Sequence, residues 1–179
     1  MNKDPIVTGK CDSNTKRTEL LLLISEKALV VFVILLVTMR ILFNWYLTDG
    51  NSMSPTIEDG DILFGLKFHK ELETGDVIIA KQKGYDGLEV SVVKRLIAKE
   101  GDIVEIINNK VYVNGEVLDE PYLQEAMITS DISLVVEEGS VFVLGDNRNS
   151  SYDSRKAELI KESDIDGLVI FDLSNWRKL

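Results

Sequence analysis

Between Ala28 and Leu47 only Thr38, Arg40 and Asn44 are clearly polar, and this one run limits what the chain can fold into more than any other feature. At about 1.5 Å per residue, roughly 20 helical residues match a hydrocarbon core of about 30 Å, so residues 28–47 predict a transmembrane anchor. Arg40 opposes insertion. A central arginine costs about 2.5–3.5 kcal/mol, which some ten strongly apolar residues at about −0.3 to −0.6 kcal/mol each offset. The run exceeds the length of a cleavable leader core, and Thr48, Asp49, Gly50 and Asn51 offer no small-x-small cleavage site. Lys10, Lys16, Arg17 and Lys27 precede the run, whereas no Lys or Arg occurs from Thr48 to Leu66. That bias predicts a cytoplasmic N-terminal segment (1–27) and an extracytoplasmic remainder (48–179), with Trp45 and Tyr46 in the interfacial aromatic belt. A buried helix of a soluble protein would leave the charge asymmetry unexplained. Membrane lipid is therefore an expected partner.

With 179 residues the chain has room for the anchor and one compact domain. A net charge of −10 argues against nucleic acid as a partner, because nothing would neutralise phosphates. The single cysteine, Cys11, precedes the anchor, so no intramolecular disulfide forms. The single histidine, His69, stands among charged residues, which leaves neither a histidine-dependent triad nor a metal site; no metal and no cofactor are expected.

From Asp49 onward the pattern becomes short β-branched runs separated by Gly, Asn and Asp: Val77–Ala80, Val90–Ile97, Ile103–Ile107, Val111–Val113, Val117–Leu118, Val141–Leu144 and Leu168–Phe171. This predicts an all-β domain, with Ser154–Ser163 as its one helical stretch. Asn114-Gly115 between two such runs predicts a type I′ hairpin. Residues 101–140 read as a smaller β lobe inserted between the segments that carry the chemistry.

Three segments carry that chemistry. Ser52, Met53, Ser54, Pro55 and Thr56 follow the anchor, bracketed by Gly50 and Gly60, and read as a nucleophile held in a turn. Without histidine or metal, a serine needs another base, and lysine serves when burial lowers its pKa from about 10.4 towards working pH. Period-2 reading puts Val90, Val92, Lys94 and Leu96 on one face, so Lys94 would sit in an apolar row. The third segment, Gly145–Arg155, reads as a polar scaffold in which a hydroxyl orients the amine and Asp153 pairs with Arg155. Taken singly, each segment also reads as an ordinary turn, an edge-strand charge or a solvated loop.

Together they resemble the bacterial type I signal peptidases, membrane-bound Ser/Lys proteases, from Asp49 to about Phe171. The likeness rests on four ordered boxes: Ser52, Met53, Pro55 and Thr56; Gly75, Asp76 and Val77; Lys94, Arg95, Gly101 and Asp102; and Gly145, Asp146, Asn147, Arg148, Ser151, Asp153, Ser154 and Arg155. The resemblance implies a signal-peptidase-like β fold and a single-pass protein of the bacterial cell membrane. It implies cleavage of signal peptides from secreted preproteins after small-x-small residues. Ser52 would be nucleophile, Lys94 general base, Ser151 the hydroxyl holding the lysine, and Asp146, Asp153 and Arg155 structural support. Met53, Val92 and Val93 would help build shallow apolar pockets for the substrate. Gly50, Asn51, Asn149 and Ser150 depart from common family residues. Gly50 replaces a hydroxyl that some relatives offer to the oxyanion, so Gly50→Ser would raise kcat unless the position needs a positive φ, and Asn149 with Ser150 would leave that edge of the last box less tightly held. Two other readings compete: a self-cleaving Ser/Lys repressor relative, which needs no membrane helix and would carry a DNA-binding module, so that the anchor and the acidic charge argue against it; and a signal-peptidase-like non-catalytic or narrow-specificity assembly factor for exported subunits such as pilins, where intact Ser52 and Lys94 argue against inactivity but not against narrow specificity.

Overall fold

The computed structural model describes residues 11–67 and 71–179, the side chains of residues 11–15 excepted. His69, the Cys11 side chain and the expectations placed on residues 1–10 lie outside the described residues. Two units divide the chain, one ending at Ile41 and one running from Leu42 to Leu179.

The first unit is a helix, α1, Cys11–Leu42. Its stretch Lys16–Leu42 is long and apolar enough to cross a membrane. The helix stops five residues before the expected end of the anchor, and Phe43–Leu47 is a β-strand instead. An apolar run has no internal mark of where helix gives way to strand; pairing with another strand decides it here. Arg40 consequently sits in the last helical turn, where a cation complements the C-terminal end of the helix dipole and its long side chain can reach water.

The second unit contains two antiparallel sheets. Strand β1 (Phe43–Leu47) pairs with β2 (Ile62–Leu66), and the larger sheet continues through β11 (Ile165–Asp172), β3 (Val77–Lys83), β4 (Glu89–Lys99), β9 (Ser140–Leu144) and β10 (Ile160–Lys161), with β12 (Arg177–Lys178) added to β11. The smaller sheet is ordered β7 (Glu116–Val117), β6 (Lys110–Val113), β5 (Ile103–Ile107), β8 (Ile132–Val135). It falls within the stretch expected to form an inserted lobe. Asn114 and Gly115 both have positive φ, 53° and 82°, as a type I′ turn demands. Ser154–Ser163 is not helical. It is turn and loop, then β10 and the first residues of a 3-10 turn at Glu162–Asp164, because Ile160 lies in the core and pairs with Val141.

Strand β9 organises the interior. All five of its residues are buried, as expected of a strand with core on both faces. Phe142 and Leu144 face a cluster shared with the small lobe through Val104, Ile106 and Val111, while Val141 and Val143 face Ile78, Ala80 and Leu96. A third cluster, built from Met53, Ile57, Leu63, Val77, Ile79 and Val169, roots the loop between β1 and β2.

Alternation along β1 parts the two aromatic residues expected together in an interfacial belt. Trp45 is exposed and meets Phe64 edge-on at 5.9 Å. Tyr46 lies over Gly65 and donates its hydroxyl to the Asp166 carbonyl at 3.4 Å. A Cβ at Gly65 would come within 2.9 Å of the Tyr46 ring and 3.4 Å of the Leu168 carbonyl. Gly65→Ala is therefore expected to displace Tyr46 and lower unfolding stability by about 1–3 kcal/mol, read from the denaturation midpoint of the detergent-solubilised protein; an unchanged midpoint would show that the ring yields freely.

Candidate active site

The loop carrying Ser52 is short of regular structure and dense in bonds. At its neck the Thr48 N–H donates to the Asp61 carbonyl at 3.0 Å, and the Thr48 hydroxyl donates to the Glu58 carbonyl at 2.8 Å. The Asp61 carboxylate accepts from the Glu58 N–H at 2.9 Å and from Asn175 at 3.0 Å. Met53 and Ile57 enter the core beneath, 3% and 1% exposed. Burying the residue after Ser52 fixes the direction in which the serine points.

Lys94 comes from β4, paired across from Ile78, and is only 3% exposed. Its Nζ donates to Ser52 Oγ at 2.8 Å and to the Val93 carbonyl at 3.0 Å. Burial lowers its pKa from 10.5 to about 8, against the opposing pull of the Asp153 and Asp146 carboxylates. The apolar row expected along this strand is present in Val92 and Leu96, whereas Val90 is exposed.

The third segment wraps this pair. The Ser52 carbonyl accepts from the Asn147 N–H at 3.0 Å. Asp146 forms a forked pair with Arg95, at 2.8 and 2.6 Å, and Asp153 forms one with Arg155, at 2.8 and 2.7 Å. Burial pushes the Asp153 carboxyl up, but the Arg155 guanidinium and the Gly145 N–H outweigh it and hold the carboxyl below its usual range. The Ser151 hydroxyl contributes to this, although its geometry falls short of a hydrogen bond. Among the described residues Ser151 Oγ is buried without a hydrogen-bond partner, and the partners of Lys94 Nζ are Ser52 and Val93.

Gly145, for which the sequence offered no separate role, is the point where these parts meet. A Cβ there would collide with the Ser151 side chain and with the Ser52 carbonyl. Only the absence of a side chain lets both serines approach.

The small lobe reaches the site through residues that pattern alone passed over. Tyr122 lies against the Arg95 guanidinium at 4.1 Å and donates its hydroxyl to Glu120 at 3.0 Å. Arg148 donates to the Gly145 carbonyl at 3.0 Å and pairs with Glu120. Asn149 accepts from the Ile128 N–H at 2.9 Å and donates to the Ala126 carbonyl at 3.1 Å. This corrects the expectation of a loosely held edge, since an amide both gives and takes a hydrogen bond where an ionised carboxylate only accepts. The departure at Gly50 turns on backbone: its φ is +103°, so a serine there would strain the loop, and the expected gain from Gly50→Ser is lost.

Beside Ser52 runs a cleft of about 180 Å³, lined by Tyr46–Gly50, by Ser91–Lys94 and by Met53, Ile57 and Ile79 of the apolar cluster beneath the loop. Met53, Val92 and Val93 all border it.

Residues 21–174 match the family described as signal peptidase, peptidase S26. The chain belongs to this family. A signal peptidase I of Bacillus amyloliquefaciens is 41% identical over 170 residues, covering 85% of this chain and 86% of that protein. Signal peptidase I T of Bacillus subtilis (strain 168) is 37% identical, with 85% and 86% covered. The crystal structure of a signal peptidase I from Enterococcus faecalis V583 superposes with a TM-score of 0.50 at 32% identity, covering 56% of this chain and 98% of that one. Membership in the peptidase S26 family makes this chain a serine protease by class, with a predominantly β domain after an apolar helix.

Because Asp146 raises the Lys94 pKa, and Arg95 loses its counter-charge when Asp146 does, Asp146→Asn is expected to move the amine below about 8. The pH dependence of Lys94 alkylation, followed by mass spectrometry, measures the shift; an upward move would contradict the charge assignment.

Proposed function

We propose that this chain is a membrane-anchored serine endopeptidase that removes N-terminal signal peptides from exported preproteins after small-x-small residues, with Ser52 as nucleophile and Lys94 as general base. The observation that carries the proposal is the 2.8 Å contact between Ser52 Oγ and a buried amine of pKa about 8. At pH 7 about one-tenth of such an amine is neutral, against about one in three thousand at the unshifted value. The neutral amine accepts the serine proton along the same contact as Oγ attacks the scissile carbonyl. The resulting ammonium then protonates the departing amine, and the acyl-enzyme is hydrolysed by a water that the same lysine deprotonates. The Ser52 N–H is the candidate donor to the oxyanion.

The same reading assigns the remaining roles. Ser151 has free hydrogen-bonding capacity beside the pair and supplies the hydroxyl that steadies the amine. Asp146, Asp153 and Arg155 hold the surrounding loop. Substrate lies extended along the cleft, with Met53, Val92 and Val93 admitting only small side chains before the cleaved bond. Lys16, Arg17 and Lys27 favour a cytoplasmic N-terminus, so the β domain works on the outer face and meets chains that emerge through the bilayer.

Incubating the detergent-solubilised protein with a preprotein and sequencing the product N-terminus tests the reading. Ser52→Ala and Lys94→Ala are each expected to abolish cleavage, and the double variant to be no worse, because nucleophile and base act as a unit. Wild-type kcat/KM should rise with pH through about 8, since only the deprotonated amine is a base. Substantial activity in either single variant would defeat the mechanism. Gly145→Ala is expected to lower kcat by about 100-fold or more, as displacements of about 1 Å at a reacting centre do; activity within a few-fold of wild type would mean that the serines tolerate the added carbon.

A further inference from the structure

The nucleophile loop separates two hollows of opposite character. Ser52 and Met53 line the apolar-based cleft; Ser54, two residues after Ser52, lines a second hollow of about 110 Å³. Every residue bordering the second hollow is polar: Ser54, Gln124, Glu125 and the run Asp146–Asn149. Asn147, whose N–H is donated to the Ser52 carbonyl, belongs to it as well, so the hollow begins beside the nucleophile's own main chain.

Most of the charge around this hollow is already matched. Asp146 is taken by Arg95, and Arg148 is paired with Glu120. Two groups are left. Arg148 is 2% exposed, yet among the described residues its Nη1 has no hydrogen-bond partner. Glu125 is exposed, and its loop is held against the last box by the two Asn149 hydrogen bonds at Ala126 and Ile128.

A peptidase must hold the chain on both sides of the bond it cuts. The cleft suits the small apolar side chains that precede the bond, and a wholly polar hollow suits the residues on its far side. We propose that this second hollow binds the first residues of the mature protein. Within it Glu125, an exposed carboxylate on the rim, discriminates by charge, favouring basic over acidic side chains immediately after the cleaved bond. The inference rests on the peptidase reading above and adds a specificity-determining residue to it.

The test uses the full-length, detergent-solubilised protein and three peptides identical up to the cleaved bond, whose first two residues beyond it are Lys-Lys, Ser-Ser or Glu-Glu. The readout is the ratio of kcat/KM for Lys-Lys over Glu-Glu within each enzyme, which cancels any general effect of a substitution on folding or turnover. At low salt the wild-type ratio is expected to exceed one by roughly two- to five-fold, the range of a partly exposed charge contact, and to shrink as salt is added. Glu125→Gln should bring it towards one, and Glu125→Lys should invert it. A ratio common to all three enzymes overturns the subsite. So does an equal preference when the charges are moved ten residues beyond the bond, because attraction to a chain of net charge −10 would then explain it. Failure of the wild type to cleave the Ser-Ser peptide overturns the peptidase reading itself, and this one with it.

Discussion

Keeping the Lys94 amine out of water is the condition on which the rest of the site depends. The fall from 10.5 to about 8 corresponds to on the order of 3 kcal/mol of differential stabilisation between its charge states. Desolvation supplies it, and desolvation is a property of neighbours. Strands β3 and β9 flank β4, the Ser52 hydroxyl meets the amine, and Gly145 lets the segment that carries Ser151 pack against the Ser52 main chain. Each cover carries its own anchor: Met53 and Ile57 in the core for the loop, and the buried strand β9 for the segment that comes after it.

Two buried carboxylates stand near that amine, and left unpaired they would return it to the charged form. Each is matched by its own arginine, Arg95 for Asp146 and Arg155 for Asp153, in two-pronged contacts. Buried ion pairs of this kind contribute little net stability, because desolvating both charges consumes most of the Coulombic gain. Their effect here is on position and potential. They brace the chain around Gly145 while limiting how far the acids restore the lysine's proton affinity.

The small lobe takes part in the same bracing. Tyr122 packs against Arg95, and Glu120 accepts hydrogen bonds from both Tyr122 and Arg148. Burial and the Glu120 charge push the Tyr122 phenol up, so it stays a neutral donor throughout the working range. The lobe therefore steadies Asp146 and the Gly145 carbonyl from outside without touching the reacting atoms.

Sequence alone determined what depends on local chemistry. An apolar run long enough for a bilayer, β-branched runs such as Val77–Ala80 and Ile103–Ile107, the Asn114-Gly115 turn and the pairing of Asp153 with Arg155 are written in consecutive residues, and Ser52 and Lys94 stood out through residue type and order. Tertiary structure decided what depends on residues far apart in the chain. The anchor helix gives way at Phe43 because β2 is there to pair with it. Ser154–Ser163 forgoes a helix because Ile160 is drawn into the core. The positive φ of Gly50 and the crowding around Gly145 leave no mark distinguishing them from other glycines, since a missing side chain matters only where another segment arrives. Glu120 and Tyr122 acquire their part for the same reason: hydrogen bonds and desolvation act over a few ångströms, and only the folded chain brings residues 52, 94, 122, 145 and 151 into one neighbourhood.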